Sequence, residues 1–196
     1  MDLDDLVHAQ SSVAILLAAL GPDDWTRPTP CEAWDVAAVV RHLTVGERAF
    51  TTSLGGTTYD LPAITAELAP VPLPDLPATY DEGAARLRDA LAAAGDGTFP
   101  TGIGPMPAAA VAELRTIEAL THGWDIARGA GASFEVDGAV AERAIDHSLA
   151  LMERLPPDRS PFAAPQPVAD DAPAIDRLAA LLGRVVDGGR GPSPPS

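Results

Sequence analysis

Apolar residues recur at three- and four-residue spacing in segment after segment of this chain, and no stretch shows the period-two alternation of a half-buried strand. That pattern restricts the fold to packed helices. Leu3, Leu6, Val7, Val13, Leu16, Leu17 and Leu20 mark a broad face on a first helix that Asp2 can cap and Gly21-Pro22 ends. Asp35 can cap a second helix to about residue 53, with Val36, Val39, Val40, Leu43 and Phe50 as its core stripe. A third spans 78–94, with Tyr80, Ala84, Leu87 and Leu91 inward and Gly95 as terminator, and a fourth spans 108–127. Asp137 can cap a fifth that ends near Arg154, and a short helix over 174–186 offers Leu178, Leu181, Leu182 and Val185 to dock. Hydrophobic residues make up 46% of the chain but aromatics only 5%, so the interior must be built largely from Ala, Leu and Val. The expectation is an all-α fold, a four-helix bundle with additional short helices, and the long connections flanking the third helix call for a crossover.

Proline and glycine punctuate the rest. Residues 23–34 read as an ordered loop because Trp25 and Trp34 can anchor it, and 55–77 as a long connection with a short helix near 63–68. The Gly-Ile-Gly-Pro-Met-Pro run within 96–107 is no phosphate loop, since no Lys-Ser/Thr follows it. Six prolines make 156–173 a connector, and the Gly/Pro/Ser-rich tail 187–196 reads as disordered. Residues 1–186 are read as a single helical-bundle domain.

A formal net charge of −15 argues against an unaided nucleic-acid or anionic-membrane partner and favours a small ligand. The apolar run 13–20 is too short to span a bilayer, and acidic Asp2, Asp4 and Asp5 precede it where a signal peptide carries basic residues, so the expected location is cytoplasmic. The single cysteine, Cys31, excludes an intrachain disulfide and a cysteine-rich zinc module.

The chemistry concentrates in Glu118-Ala-Leu-Thr-His122-Gly-Trp-Asp125-Ile-Ala. On a helix, Glu118 and His122 project about 40° apart on one face and roughly 6 Å apart along the axis, close enough to share a metal ion. The same spacing describes an ordinary surface or buried pair. A third ligand must come from elsewhere, and His42 is the best candidate. It lies roughly 100° from the centre of the second helix's stripe, a border position that suits a ligand facing a cleft and an exposed histidine equally. His8 and His147 read as structural. Cys31, eleven residues before His42, reads as a small buried thiol, with a fourth-ligand or nucleophile role as the sharper alternative. Asp125 can orient His122 or pair with Arg128 or Arg115.

Thr29-Pro-Cys-Glu-Ala-Trp-Asp-Val36 leading into Val40-Arg-His-Leu43, followed by the Glu118–Ala127 motif and the closing Asp176-Arg-Leu and Leu182-Gly-Arg184, resembles the mycothiol-dependent maleylpyruvate isomerase branch of the DinB-like superfamily, and does so over nearly the whole chain. The resemblance implies a DinB-like bundle with a divalent metal, usually zinc, between the second and fourth helices, held by His42, Glu118 and His122. Three protein ligands leave an open position, the catalytic pattern of zinc. In the isomerase the metal is thought to bind mycothiol and favour its thiolate. That enzyme carries an additional C-terminal domain where this chain has a connector, one short helix and a tail, so the reading carried forward is a mycothiol-dependent transferase or isomerase-like enzyme acting on a small electrophile. The alternative is a non-catalytic metal-binding sensor or interaction module. Arg41, Arg48 and Arg115 are candidates for a basic pocket, each equally able to face solvent, and a homodimer would fit the superfamily.

Overall fold

The computed structural model describes residues 2–32, 34–102, 104–154 and 163–186. Its helices are α1 (Leu3–Ala18), α2 (Val36–Leu54), α3 (Leu61–Leu68), α4 (Leu76–Ala93), α5 (Ala108–Ala130), α6 (Gly138–Arg154) and α7 (Ala174–Leu181). Capping follows the side chains available. Asp2 and Asp5 form a reciprocal capping box on α1, and the Asp35 carboxylate accepts the Ala38 N–H at 2.8 Å to open α2. Asp137 accepts the Ala139 N–H at the start of α6.

The bundle consists of α1, α2, α4 and α5. Each packs on two others, in the ring order α1–α4–α2–α5, so the consecutive helices α1 and α2 lie on a diagonal. The 55–75 connection, which carries α3, lets α4 return beside α2. α6 and α7 pack on each other and against α5. No described helix is long and apolar enough to cross a membrane.

The core falls into two clusters. One gathers Val13, Leu17, Val40, Leu43, Tyr80 and Leu120 among others. The other, toward the opposite end of the helices, holds Leu6, Phe50, Leu54, Leu87, Leu91 and Val111. Between them in sequence along α2 and α5, and next to Ala9 on α1, lies a buried polar layer. Gln10 donates to Glu47 Oε1 at 3.1 Å, and Arg115 Nη2 reaches that oxygen at 3.5 Å and the Leu43 carbonyl at 3.1 Å. Gly46 makes the room, because a Cβ there would lie 2.3 Å from Arg115 Nη1. A buried ion pair that apolar residues could replace adds little net stability, but it penalises any slip of α2 against α5 that would strand a charge.

Several boundaries differ from the sequence expectation. α4 starts two residues early, and α5 runs on through Gly129 to Ala130. Within the segment read as loop, Thr98–Phe99 and Met106–Pro107 pair as two short antiparallel strands. The largest difference is α7, which ends at Leu181. Gly183 has φ 91, a left-handed conformation that redirects the chain out of the helix. Leu178 and Leu182 are buried as expected, but Leu181 is half-buried and Val185 is 69% exposed, so neither docks. Residues 163–173 of the connector are irregular, whereas its first part and the 187–196 tail lie outside the described residues.

Candidate metal centre

His42 enters from α2, and Glu118 and His122 enter from successive turns of α5, which packs beside it. Glu118 Oε2 lies 3.1 Å from His42 Nε2 and 3.5 Å from His122 Nε2. Donors held tetrahedrally at about 2.0–2.1 Å from a zinc ion sit about 3.3 Å apart, so the spacing already suits one. The three donor atoms lie within 4.8 Å of one another, a group that could hold a metal ion.

The tautomer of His122 suits the same role. Its Nδ1 lies 3.0 Å from Asp125 Oδ2, and a carboxylate can only accept, so Nδ1 carries the proton and Nε2 is directed at Glu118. Asp125 is itself gripped by Arg184, whose Nε and Nη2 donate to the two carboxylate oxygens at 3.3 and 2.9 Å. Asp125 therefore orients His122, and its arginine partner is neither Arg128 nor Arg115. Arg128 instead joins the Trp124 indole N–H on Asp176, tying α5 to α7. Arg184 was legible only as part of the Leu-Gly-Arg segment, with no sign of its target, because it lies 59 residues from Asp125 on irregular chain beyond α7.

Electrostatics follow from the geometry. Burial alone would raise the Glu118 carboxyl, but the His122 and His42 hydrogen bonds and the Arg115 charge outweigh it and hold it well below the ordinary carboxylate range. Burial opposes the charged His122 imidazole, yet Asp125 and Glu118 outweigh it and raise its pKa. Cys31 moves the other way for a nucleophile. Burial and the Asp125 charge push its thiol up, only partly offset by Arg184.

A cavity of about 700 Å³ opens onto these groups. Its floor is His42, Glu118, Thr121 and His122, and its walls include Trp34, Cys31, Leu182 and Arg184. The loop carrying Cys31 and Trp34 is fixed by its own backbone. The Thr29 N–H and hydroxyl both donate to the Trp34 carbonyl, and the Trp34 N–H donates to the Cys31 carbonyl. The Trp34 ring lies 4.7 Å from the His42 ring and 6.0 Å from that of His122, centroid to centroid. Cys31, half-buried, also falls in a group with His122 and Asp125.

The remaining sequence candidates fall elsewhere. His8 bonds the Asp4 carbonyl on an exposed turn, and His147 faces Glu113 at 2.6 Å. Arg41 donates to the Leu68 and Val71 carbonyls, Arg48 faces Glu67, and Arg115 is buried against Glu47, so none of the three lines the cavity. The expectation of a basic pocket from these arginines is therefore corrected. Each points toward the element that follows its own helix or into the bundle interior.

Comparison with known proteins places the chain in a family. Residues 6–127, which include all three candidate ligands, match the mycothiol maleylpyruvate isomerase N-terminal domain. An uncharacterized protein of Mycobacterium tuberculosis strain H37Rv is 31% identical over 183 residues, covering 91% of this chain and 95% of that protein. A second one from the same strain is 30% identical over 142 residues, covering 65% of this chain and 55% of its own length. The crystal structure of the mycothiol-dependent maleylpyruvate isomerase superposes with a TM-score of 0.62 at 17% identity, over 75% of this chain and 67% of that one. A histidine-to-alanine mutant of the isomerase superposes with a TM-score of 0.57. With the family matched over more than half the chain and a relative covered almost end to end, this DinB-like helical bundle belongs to the mycothiol maleylpyruvate isomerase N-terminal domain family.

Proposed function

We propose that this protein binds a divalent ion, zinc by its donor set, through His42, Glu118 and His122, and transfers a small thiol, mycothiol by family, to an electrophilic substrate in the cytoplasm. The observation that carries the reading is the convergence of two imidazoles and a carboxylate on the floor of an open 700 Å³ cavity. A closed structural site would be shut in by a fourth protein ligand, whereas three donors facing free space leave a position for a reactant. The bound ion would supply Lewis acidity that favours the thiolate. The protein's own residues do the rest. Asp125 and Arg184 fix the ring plane of His122, Arg115 supports the carboxylate of Glu118 from 3.9 Å, and the Trp34 wall limits how a thiol and an electrophile lie against the floor.

Elemental analysis after dialysis should find about one divalent ion per chain in the wild type and none in His42→Ala/His122→Ala. A panel of thiols assayed against a chromogenic electrophile should show turnover that Glu118→Ala abolishes. Equal, negligible metal in wild type and double mutant would remove the metal reading. Full metal occupancy without turnover would leave the sensor or interaction module.

A further inference from the structure

The last described segment of the chain reaches back to the site. α7 is eight residues long, too short to persist as a helix in water on its own, so its structure depends on being docked. Leu178 and Leu182 anchor it in the core, Asp176 accepts from the Trp124 indole and from Arg128 on α5, and Arg177 pairs with Glu142 on α6. It ends in a left-handed glycine cap. The Gly183 backbone N–H donates to the Ala180 carbonyl at 3.0 Å and the Arg184 backbone N–H to the Ala179 carbonyl at 2.9 Å. Glycine is required at that turn, since its φ is 91 and a Cβ would lie 2.5 Å from that of Ala163. The cap aims the Arg184 side chain at Asp125, 59 residues back in the chain. We infer that residues 174–186 form a strap whose docking is coupled to occupancy of the metal centre.

The inference rests on the metal reading and adds a means of regulating that site. No strap residue belongs to the candidate donor set, so the coupling runs through Arg184, Asp125 and His122. With the strap docked, Arg184 holds Asp125, Asp125 holds Nδ1 of His122, and Nε2 faces Glu118. With the strap lifted, the buried Asp125 carboxylate loses its cation and the His122 ring loses the restraint on its plane, so binding an ion must also order the imidazole. The ion therefore binds the docked form more tightly, and linkage requires a bound ion to hold the strap down by the same factor. A factor of about 10–100 is typical of the partner that orients a ligating histidine. Leu182, Arg184 and Val185 also wall the cavity, so lifting the strap widens the cavity as it loosens the ion. The strap stays docked most of the time in either state, and occupancy changes how often it lifts.

Hydrogen exchange of the full chain, read by mass spectrometry on peptides covering 174–186, tests this with and without zinc. In the wild type, saturating zinc should slow exchange there about tenfold or more. Arg184→Gln should bind zinc about 10- to 100-fold more weakly by chelator competition and should lose the zinc-dependent slowing even when saturated. Gly183→Ala, which keeps the arginine but turns it away, should weaken zinc as well. Strap exchange indifferent to zinc in the wild type, or slowed equally in saturated Arg184→Gln, would overturn the coupling and leave the metal reading standing. Wild type that holds no zinc would overturn both.

Discussion

His122 is constrained at both ring nitrogens. Nδ1 is held by Asp125, which Arg184 grips in turn, while Nε2 faces Glu118. Such a carboxylate partner fixes the tautomer and raises the basicity of a ligating imidazole. Asp125→Asn keeps the shape but removes the charge that both neighbours use. Metal affinity in this variant should fall about 10- to 100-fold, read by competition with a chromophoric chelator, while helical circular dichroism stays unchanged. Affinity equal to wild type would show that the tether does not matter. The shared direction of Glu118 and His122 was legible because a helix converts a four-residue spacing into one face, whereas the edge of an apolar stripe left His42 even between a cleft and solvent until α2 packed beside α5. Asp125 was left between two roles, because its decisive partner, Arg184, reaches it only through the docking of α7 and the turn at Gly183.

At the scale of elements, the polar layer joining α1, α2 and α5 depends on one missing methyl group. Gly46→Ala places a carbon 2.3–2.8 Å from the guanidinium atoms of Arg115, which must move and leave Glu47 buried without its cation. The expected cost is about 3–5 kcal/mol, measured as a loss of unfolding free energy in urea. A second tie joins α1 to α6, where Arg143 Nε donates to Asp5 at 3.0 Å and Arg143 lowers the Asp5 carboxyl pKa. A carboxyl lowered in the folded state stabilises the fold above its unfolded value and loses that contribution as pH falls through the folded one. Asp5→Asn should therefore be less stable than wild type near neutrality, and the difference should close as the pH drops below about 4, followed by urea midpoints across that range. The helices themselves were readable from stripe and cap, since Asp2, Asp35 and Asp137 all cap as expected. The end of α7 was not. Val185 continues the apolar spacing, but spacing alone does not show that Gly183 turns the chain away before it can dock.

For the molecule as a whole, the candidate site sits on one side of a bundle whose two apolar clusters are complete without it. Such a core does not require a metal staple of the kind very small domains use. Chelation should leave the helical circular dichroism unchanged, and loss of helicity would mark the ion as structural. The bundle class followed from periodicity, whereas the ring order α1–α4–α2–α5 depends on which stripes face each other, which no single helix records. The three tryptophans divide along the same line. Trp25 and Trp124 are buried, at 5% and 3% exposure, where their emission reports on packing. The Trp34 indole instead lies against the two histidines at the mouth of the cavity, so the protein carries an intrinsic optical probe of its own site, and Trp34→Phe should silence whatever fluorescence change accompanies occupancy while leaving the unfolding signal of the other two.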